Sequence, residues 1–184
     1  MICDEIQIAN CRTGKFFAFE WSGIQPDIIT LAKSIGGIGM PFALTLFRPE
    51  LDVWAPGEHN GTFRGFQLAT VAGKAGLLYM LHHHIEDAVV RKGALVDNFL
   101  SAELPKISKE LTYRGIGLIW GIDFSSYPEG TAKKVSEKCF QHKLVIELAG
   151  RKDCVLKLMP PLVIEDEDLM EGLNIIIEAI QSVI

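Results

Sequence analysis

No stretch of the sequence approaches the roughly 20 consecutive apolar residues of a membrane-spanning helix. The opening Met1-Ile2-Cys3 runs straight into Asp4-Glu5, without the basic and apolar regions of a secretory signal. There is no CxxC pair: Cys3, Cys11, Cys139 and Cys154 lie far apart, which fits reduced thiols in a cytoplasmic chain better than a disulfide framework. Basic patches interleaved with aromatics are also missing, and a net charge of -5 gives no reason to expect nucleic acid as a partner. His82-His83-His84 is the one dense group of metal-type ligands. Consecutive side chains diverge and no second cluster accompanies them, so a helix C-terminus facing its own dipole is favoured over a metal site.

What is present is ordinary in bulk and specific in detail. The 184 residues allow one or two small domains, enough to bury roughly 70% of the unfolded surface in a core. The chain is organised around Pro26 to Pro41, PDIITLAKSIGGIGMP. Its β-branched run Ile28-Ile29-Thr30-Leu31 predicts a buried strand, followed at once by Lys33-Ser34 and by Gly36, Gly37 and Gly39. A lysine at the end of a buried strand is expected to be poorly hydrated, and the glycines permit close approach of backbone or ligand. One chemistry that needs such a lysine is Schiff-base formation with pyridoxal 5'-phosphate, because a partly desolvated amine loses its proton more readily than the free side chain at about 10.4. That cofactor also needs a carboxylate to keep its pyridine nitrogen protonated. Asp4, ending the apolar opening 29 residues before Lys33, offers one.

The succession DEIQ, RTG, FFAFE, PDI and AKSIGG between Asp4 and Gly37 resembles the heart of a class III, fold type I pyridoxal-phosphate aminotransferase. The resemblance implies that Lys33 holds the cofactor and shuttles protons, that Asp4 pairs with the pyridine nitrogen, and that Gln7 donates to the ring oxygen. It covers nearly all of this chain but only the C-terminal half or less of the family. Met1 falls inside the family's large domain, beyond the glycine/serine turn for the phosphate and the aromatic that stacks on the ring. A truncated reading frame or an isolated domain is therefore expected.

The aromatic segment Thr13 to Ser22 is expected to pack under a loop rather than stack on substrate. Phe42 to Phe47 reads as a strand, and Arg48 to Asp52 as a turn or short helix. In Gly57-Glu58-His59-Asn60-Gly61-Thr62-Phe63-Arg64-Gly65, Thr62 either presents a hydroxyl and backbone N–H to an anion or caps the next helix. Resemblance to class III enzymes implies that Thr62 binds the cofactor phosphate of a neighbouring subunit, and hence a homodimer. HNGTFRG, with Trp54-x-Pro56-Gly57-Glu58 before it, is similar to a narrower group, the diaminobutyrate 2-oxoglutarate aminotransferases, including those of ectoine biosynthesis. Phe66-Gln67 departs from that group, which more often carries a polar residue after the glycine.

Leu68, Val71, Ala72, Ala75, Leu78, Tyr79 and Leu81 recur at helical spacing and predict a helix from Gln67 to His82, buried on one broad face. A second helix is expected from Ile85 to Leu111, bent or broken near Pro105. Ile116 to Phe124 reads as a strand, Thr131 to His142 as an amphipathic helix, and Leu144 to Leu148 and Val155 to Leu158 as strands. Glu165 to Val183 reads as a closing helix with an acidic first turn. The expected fold is α/β: the C-terminal part of a fold type I transferase large domain over residues 1–84, then a small α+β C-terminal domain over 85–184.

Lys157, before Met159-Pro160-Pro161, is either a cation presented to a substrate carboxylate or an edge-strand lysine that keeps a sheet soluble. In most class III enzymes the matching residue is an arginine that grips the α-carboxylate; a lysine agrees with the diaminobutyrate group, as a point charge without the bidentate fork. The resemblance implies transfer of an amino group from glutamate to aspartate semialdehyde, giving 2,4-diaminobutyrate and 2-oxoglutarate. Two alternatives remain open: another class III specificity, of acetylornithine or 4-aminobutyrate type, and a non-catalytic fragment or structural partner.

Overall fold

The computed structural model describes residues 1–37 and 39–184; Ile38, within the glycine-rich run, lies outside the described residues. The chain forms two compact units, Met1–Glu86 and Asp87–Ile184.

In the first unit, β1 (Ile2–Asp4) pairs in parallel with β2 (Ile28–Leu31), which pairs antiparallel with β3 (Leu44–Phe47). The β-branched residues make β2 the middle strand. Its register sets Asp4 opposite Thr30, and the Glu5 N–H donates to the Thr30 carbonyl at 3.0 Å. The ends of β1 and β2 therefore emerge side by side. Leu31, Ala9 and Ile35 form a small core on which Phe17, Ile29, Phe42, Leu44 and Leu77 pack. The aromatic segment is part of that packing: Phe16 meets Phe17 edge-on at 4.7 Å, and Phe17 stacks on Phe19 at 5.0 Å.

Helix α1 (Gln67–His82) forms where the periodicity predicts, but its burial differs. Ala69 and Gly73 are its buried residues, whereas Leu68, Val71 and Leu81 are 63%, 66% and 71% exposed. Helical spacing encodes an apolar face without specifying what covers it. Among the described residues, these three side chains are left largely uncovered.

In the second unit, β4 (Thr112–Ile116), β5 (Ile119–Asp123), β6 (Glu147–Ala149) and β7 (Val155–Leu158) form an antiparallel sheet in the order β4-β5-β7-β6. The strand expected over Ile116 to Phe124 is instead the second half of a hairpin. Gly117 takes a φ of 56° and reverses the chain between β4 and β5, a conformation that favours glycine. β6 lies later than Leu144 to Leu148, at Glu147–Ala149. Helix α2 (Ile85–Ile107) continues through Pro105 and stops short of Leu111. Within this unit its Val89, Val96, Leu100 and Leu104 are buried, as are Leu118, Ile122 and Leu156 of the sheet region. Each fully buried leucine or isoleucine contributes about 2 kcal/mol of apolar burial.

Helices α3 (Thr131–Gln141) and α4 (Asp166–Val183) pack on each other. The large buried residues of α4, Leu169, Leu173, Ile176, Ile177 and Ile180, follow the 3.6-residue period, and Asp166, Glu167 and Asp168 sit at the positive end of its dipole. The loop from β7 to α4 is stapled to α2: the buried Lys92 ammonium donates to the Leu162 and Ile164 carbonyls, and Arg91 pairs with both Asp166 oxygens at 2.5 and 2.8 Å.

Candidate active site

The parallel pairing of β1 with β2 brings the first group of candidate residues together. Asp4, Ile6, Gln7, Ile8 and Lys33 line one open concavity of about 470 Å³ at the carboxyl ends of these strands. Lys33 thus lines one space with Asp4 and Gln7, residues more than 25 positions earlier in the chain. Asp4 Oδ1 accepts the Ile6 N–H at 3.0 Å, which orients the carboxylate as the chain turns out of β1.

Lys33 opens a short 3-10 turn, Lys33–Gly36, at the end of β2. Its amine is not desolvated as expected, because Lys33 is exposed in this chain. The physical reason lies in the strand: Ile28 to Thr30 are only half-buried, and Lys33 leaves the extended conformation with a φ of 54°. A non-glycine residue in the left-handed region carries a cost of about 1–2 kcal/mol. Such conformations persist where the surrounding structure enforces them, often at functional sites.

Glycines seat the end of this turn, Ile35 to Gly37, on α1. A Cβ on Gly37 would lie 2.3 Å from the Ala72 carbonyl oxygen, and one on Gly73 would lie 2.7 Å from the Ile35 carbonyl oxygen. Backbone packs on backbone, so the lysine-bearing turn sits on the helix with no side chain between them.

Two residues that the sequence reading passed over hold the other side. Glu5 is 3% exposed, and its two carboxylate oxygens accept the Ala18 and Phe19 N–H groups, each at 3.0 Å, fastening the aromatic loop beside the end of β1. Asn10, also buried, donates from Nδ2 to Ser34 Oγ at 2.8 Å. Glu5 lies inside the DEIQ motif, which is the signal that could have found it; Asn10 gives none, because the contact joins residues 24 apart. Next to Asn10, burial first and the nearby Glu86 second push the Cys11 thiol up to about 12, so it stays protonated.

Thr62 is not among the residues lining the concavity, and it is not a helix cap. It lies in an exposed turn four residues before the N-cap Phe66 of α1, which excludes the capping alternative. The loop before it is ordered by local contacts: Glu58 accepts the Ala55 N–H at 2.7 Å, Trp54 packs on Phe47 and His59 with centroids 5.2 Å apart in each pair, and the Arg64 guanidinium donates to the His59 carbonyl. Lys157 lies in the second unit on β7, an interior strand between β5 and β6, so it is not an edge lysine. Its side chain is 15% exposed, and Nζ pairs with Glu147 at 2.6 Å across the β6–β7 register. It lines a separate cavity of about 330 Å³ with Leu144, Ile146, Pro160 and Leu173. Among the described residues, no three His, Cys, Asp or Glu side chains are grouped to hold a metal, and no helix is long and apolar enough to cross a membrane.

Comparison with known proteins identifies the family. The diaminobutyrate--2-oxoglutarate transaminase of Wolinella succinogenes is 54% identical over 187 residues, and that of Halalkalibacterium halodurans 48%; each alignment takes in 100% of this chain and 43% of the relative. The chain therefore spans less than half the length of these relatives. Among solved structures, an ornithine aminotransferase from Toxoplasma gondii superposes with a TM-score of 0.90 at 29% identity, covering 99% of this chain and 43% of that one. An acetylornithine aminotransferase from Elizabethkingia anophelis gives 0.87 at 29% identity, with 98% and 47% covered. The architecture is thus the α/β one of fold type I pyridoxal-phosphate aminotransferases. The family model "Aminotransferase class-III" matches residues 1–180, and the chain belongs to that family.

Proposed function

We propose that this chain carries the lysine-bearing part of an aminotransferase site, and that the complete enzyme transfers the amino group of glutamate to aspartate semialdehyde, forming 2,4-diaminobutyrate and 2-oxoglutarate. The observation that carries this reading is the 54% identity across the whole chain to a diaminobutyrate--2-oxoglutarate transaminase.

The residues of the first concavity fit pyridoxal 5'-phosphate by their chemistry: residues bearing a carboxylate, an amide and an amine line one space. When bound, that cofactor supplies an aldehyde for condensation with an amine and a protonated ring that acts as an electron sink. Lys33 supplies the enzyme's amine, and its Nζ takes and returns the proton of the substrate α-carbon. Asp4 holds the proton at the pyridine nitrogen, a task for which its orientation by the Ile6 N–H suits it. Gln7 donates to the ring oxygen. Lys157 takes a substrate carboxylate as a point charge, its Nζ already set opposite one carboxylate in Glu147.

Residues 1–84 serve as the end of the cofactor-binding large domain and residues 85–184 as the small domain. The enzyme acts as a homodimer in which Thr62 reaches the partner's phosphate. The exposure of Thr62, of Phe63 at 83% and of the α1 face supports that assignment, since these groups would gain from burial against another chain. The four free cysteines suit a reducing, cytoplasmic setting.

A second reading is another class III specificity, favoured by the close superposition on ornithine and acetylornithine aminotransferases. An acceptor and donor screen of the complete enzyme separates the two. The first reading predicts that aspartate semialdehyde with glutamate exceeds the ornithine, acetylornithine and 4-aminobutyrate reactions by about tenfold or more in kcat/KM. A preference for any of the latter substrates would replace it.

A further inference from the structure

We propose that Asn10 is a positioning residue for Lys33, acting through Ser34; the proposal rests on the reading of Lys33 as the cofactor lysine. Asn10 Nδ2 donates to Ser34 Oγ at 2.8 Å, and this bond ties the loop after β1 directly to the turn that carries Lys33. Asn10 is 2% exposed and has a φ of 57°, and among the described residues its Oδ1 is a buried polar atom with no hydrogen-bond partner. Cys11, the next residue, is also left-handed at 69°. A buried amide left half unsatisfied is a poor choice for stability alone.

What the arrangement gains is geometric. The close contacts of the glycine seam on α1 are made with Ile35 and Gly37, at the far end of the turn from Lys33. Lys33 itself is left-handed at 54° and exposed, so its direction needs a restraint from the side of β1, where Asp4 and Gln7 emerge. The Asn10–Ser34 bond is that restraint. It holds the first residues of the turn and keeps the lysine aimed at the concavity it shares with Asp4 and Gln7.

The test compares wild type, Asn10→Ala, Asn10→Asp and Ser34→Ala. Ser34 is exposed, so Ser34→Ala cuts the same bond without disturbing the core. In the cofactor-free protein, the Ile35 and Gly37 amides donate to the Ala32 and Ser34 carbonyls at 3.3 and 3.0 Å. Both alanine variants should speed their hydrogen exchange about tenfold while the β2 amides keep wild-type protection. Asn10→Asp, isosteric and still able to accept the Ser34 hydroxyl, should restore most of it. No acceleration in Ser34→Ala overturns the proposal, as does equal acceleration across β2. In a parallel arm, protein incubated with pyridoxal phosphate is reduced with borohydride and mapped. Labelling of Lys33 should be about tenfold slower in Ser34→Ala than in wild type, and an unchanged rate overturns the positioning role. Absence of any Lys33 label in wild type overturns the cofactor reading instead, and is distinguishable because the exchange comparison needs no cofactor.

Discussion

Replacing Gly73 by alanine should destabilise the first unit, although alanine is the better helix former. On an unobstructed helix surface, glycine to alanine gains about 1 kcal/mol. At Gly73, however, the new methyl would lie 2.7 Å from the Ile35 carbonyl oxygen and 3.2 Å from two Phe42 ring carbons. The oxygen belongs to backbone that carries the Lys33 turn and cannot rotate away. Overpacking of this kind costs about 1–3 kcal/mol. Because the turn must lift off the helix, we expect the upper part of that range, for a net loss of about 1–2 kcal/mol after the propensity gain. Gly172 in α4 provides the opposite control. There the methyl would meet Leu144 Cδ1 at 3.8 Å, an ordinary contact, so Gly172→Ala should stabilise the second unit by up to about 1 kcal/mol. Peptide-resolved native-state hydrogen exchange reads the two units separately. Opposite signs are predicted; stabilisation in both would refute the seam as the device that seats the lysine turn.

Truncating Glu5 to alanine leaves the Ala18 and Phe19 N–H groups without their carboxylate and should cost about 2 kcal/mol or more, read as a drop in protection of the 16–20 peptide; protection at the wild-type level would count against it. Asp123 is held below its ordinary value by the Ser125 hydrogen bond and then by Arg114, so its contribution is present above about pH 4 and lost as pH falls through the lower folded value. Asp123→Asn should therefore flatten the fall in urea midpoint of the second unit between pH 5 and pH 3, and an unaltered slope contradicts this assignment. Burial holds Cys11 near 12 and Cys139 near 11, so both should resist iodoacetamide at pH 8 until urea opens the chain; alkylation in the folded protein at the rate of a free thiol would show otherwise.

The elements with a clean local pattern were legible in the sequence. Ile28–Leu31 carries its β-branched run and Asp166–Val183 its apolar period, and both form with bounds within a residue of those expected. The candidates Asp4, Gln7 and Lys33, singled out by motif and resemblance, line one concavity because β1 and β2 run in parallel. What local pattern cannot carry is tertiary context. The α1 stripe reads as a core face, yet Val71 and Leu81 are open to solvent, since periodicity records an apolar face and not its neighbour. Lys157 could be read as an edge lysine because strand order is a long-range property, and β7 proves to be interior. The hairpin at Gly117 was missed because Ile116 before it and the apolar run Leu118-Ile119-Trp120 after it masked one left-handed glycine. Asn10 and Glu5 were passed over because their roles lie in contacts with residues 13 to 24 positions away.

The central claim is that Lys33 is the residue through which this chain engages pyridoxal phosphate. The most direct measurement is borohydride reduction after incubation with the cofactor, followed by peptide mass mapping of wild type and Lys33→Ala. The account predicts one reduced pyridoxyl group per chain on Lys33 and none at that peptide in the variant. Label scattered over surface lysines, or an equal yield in Lys33→Ala, would contradict it.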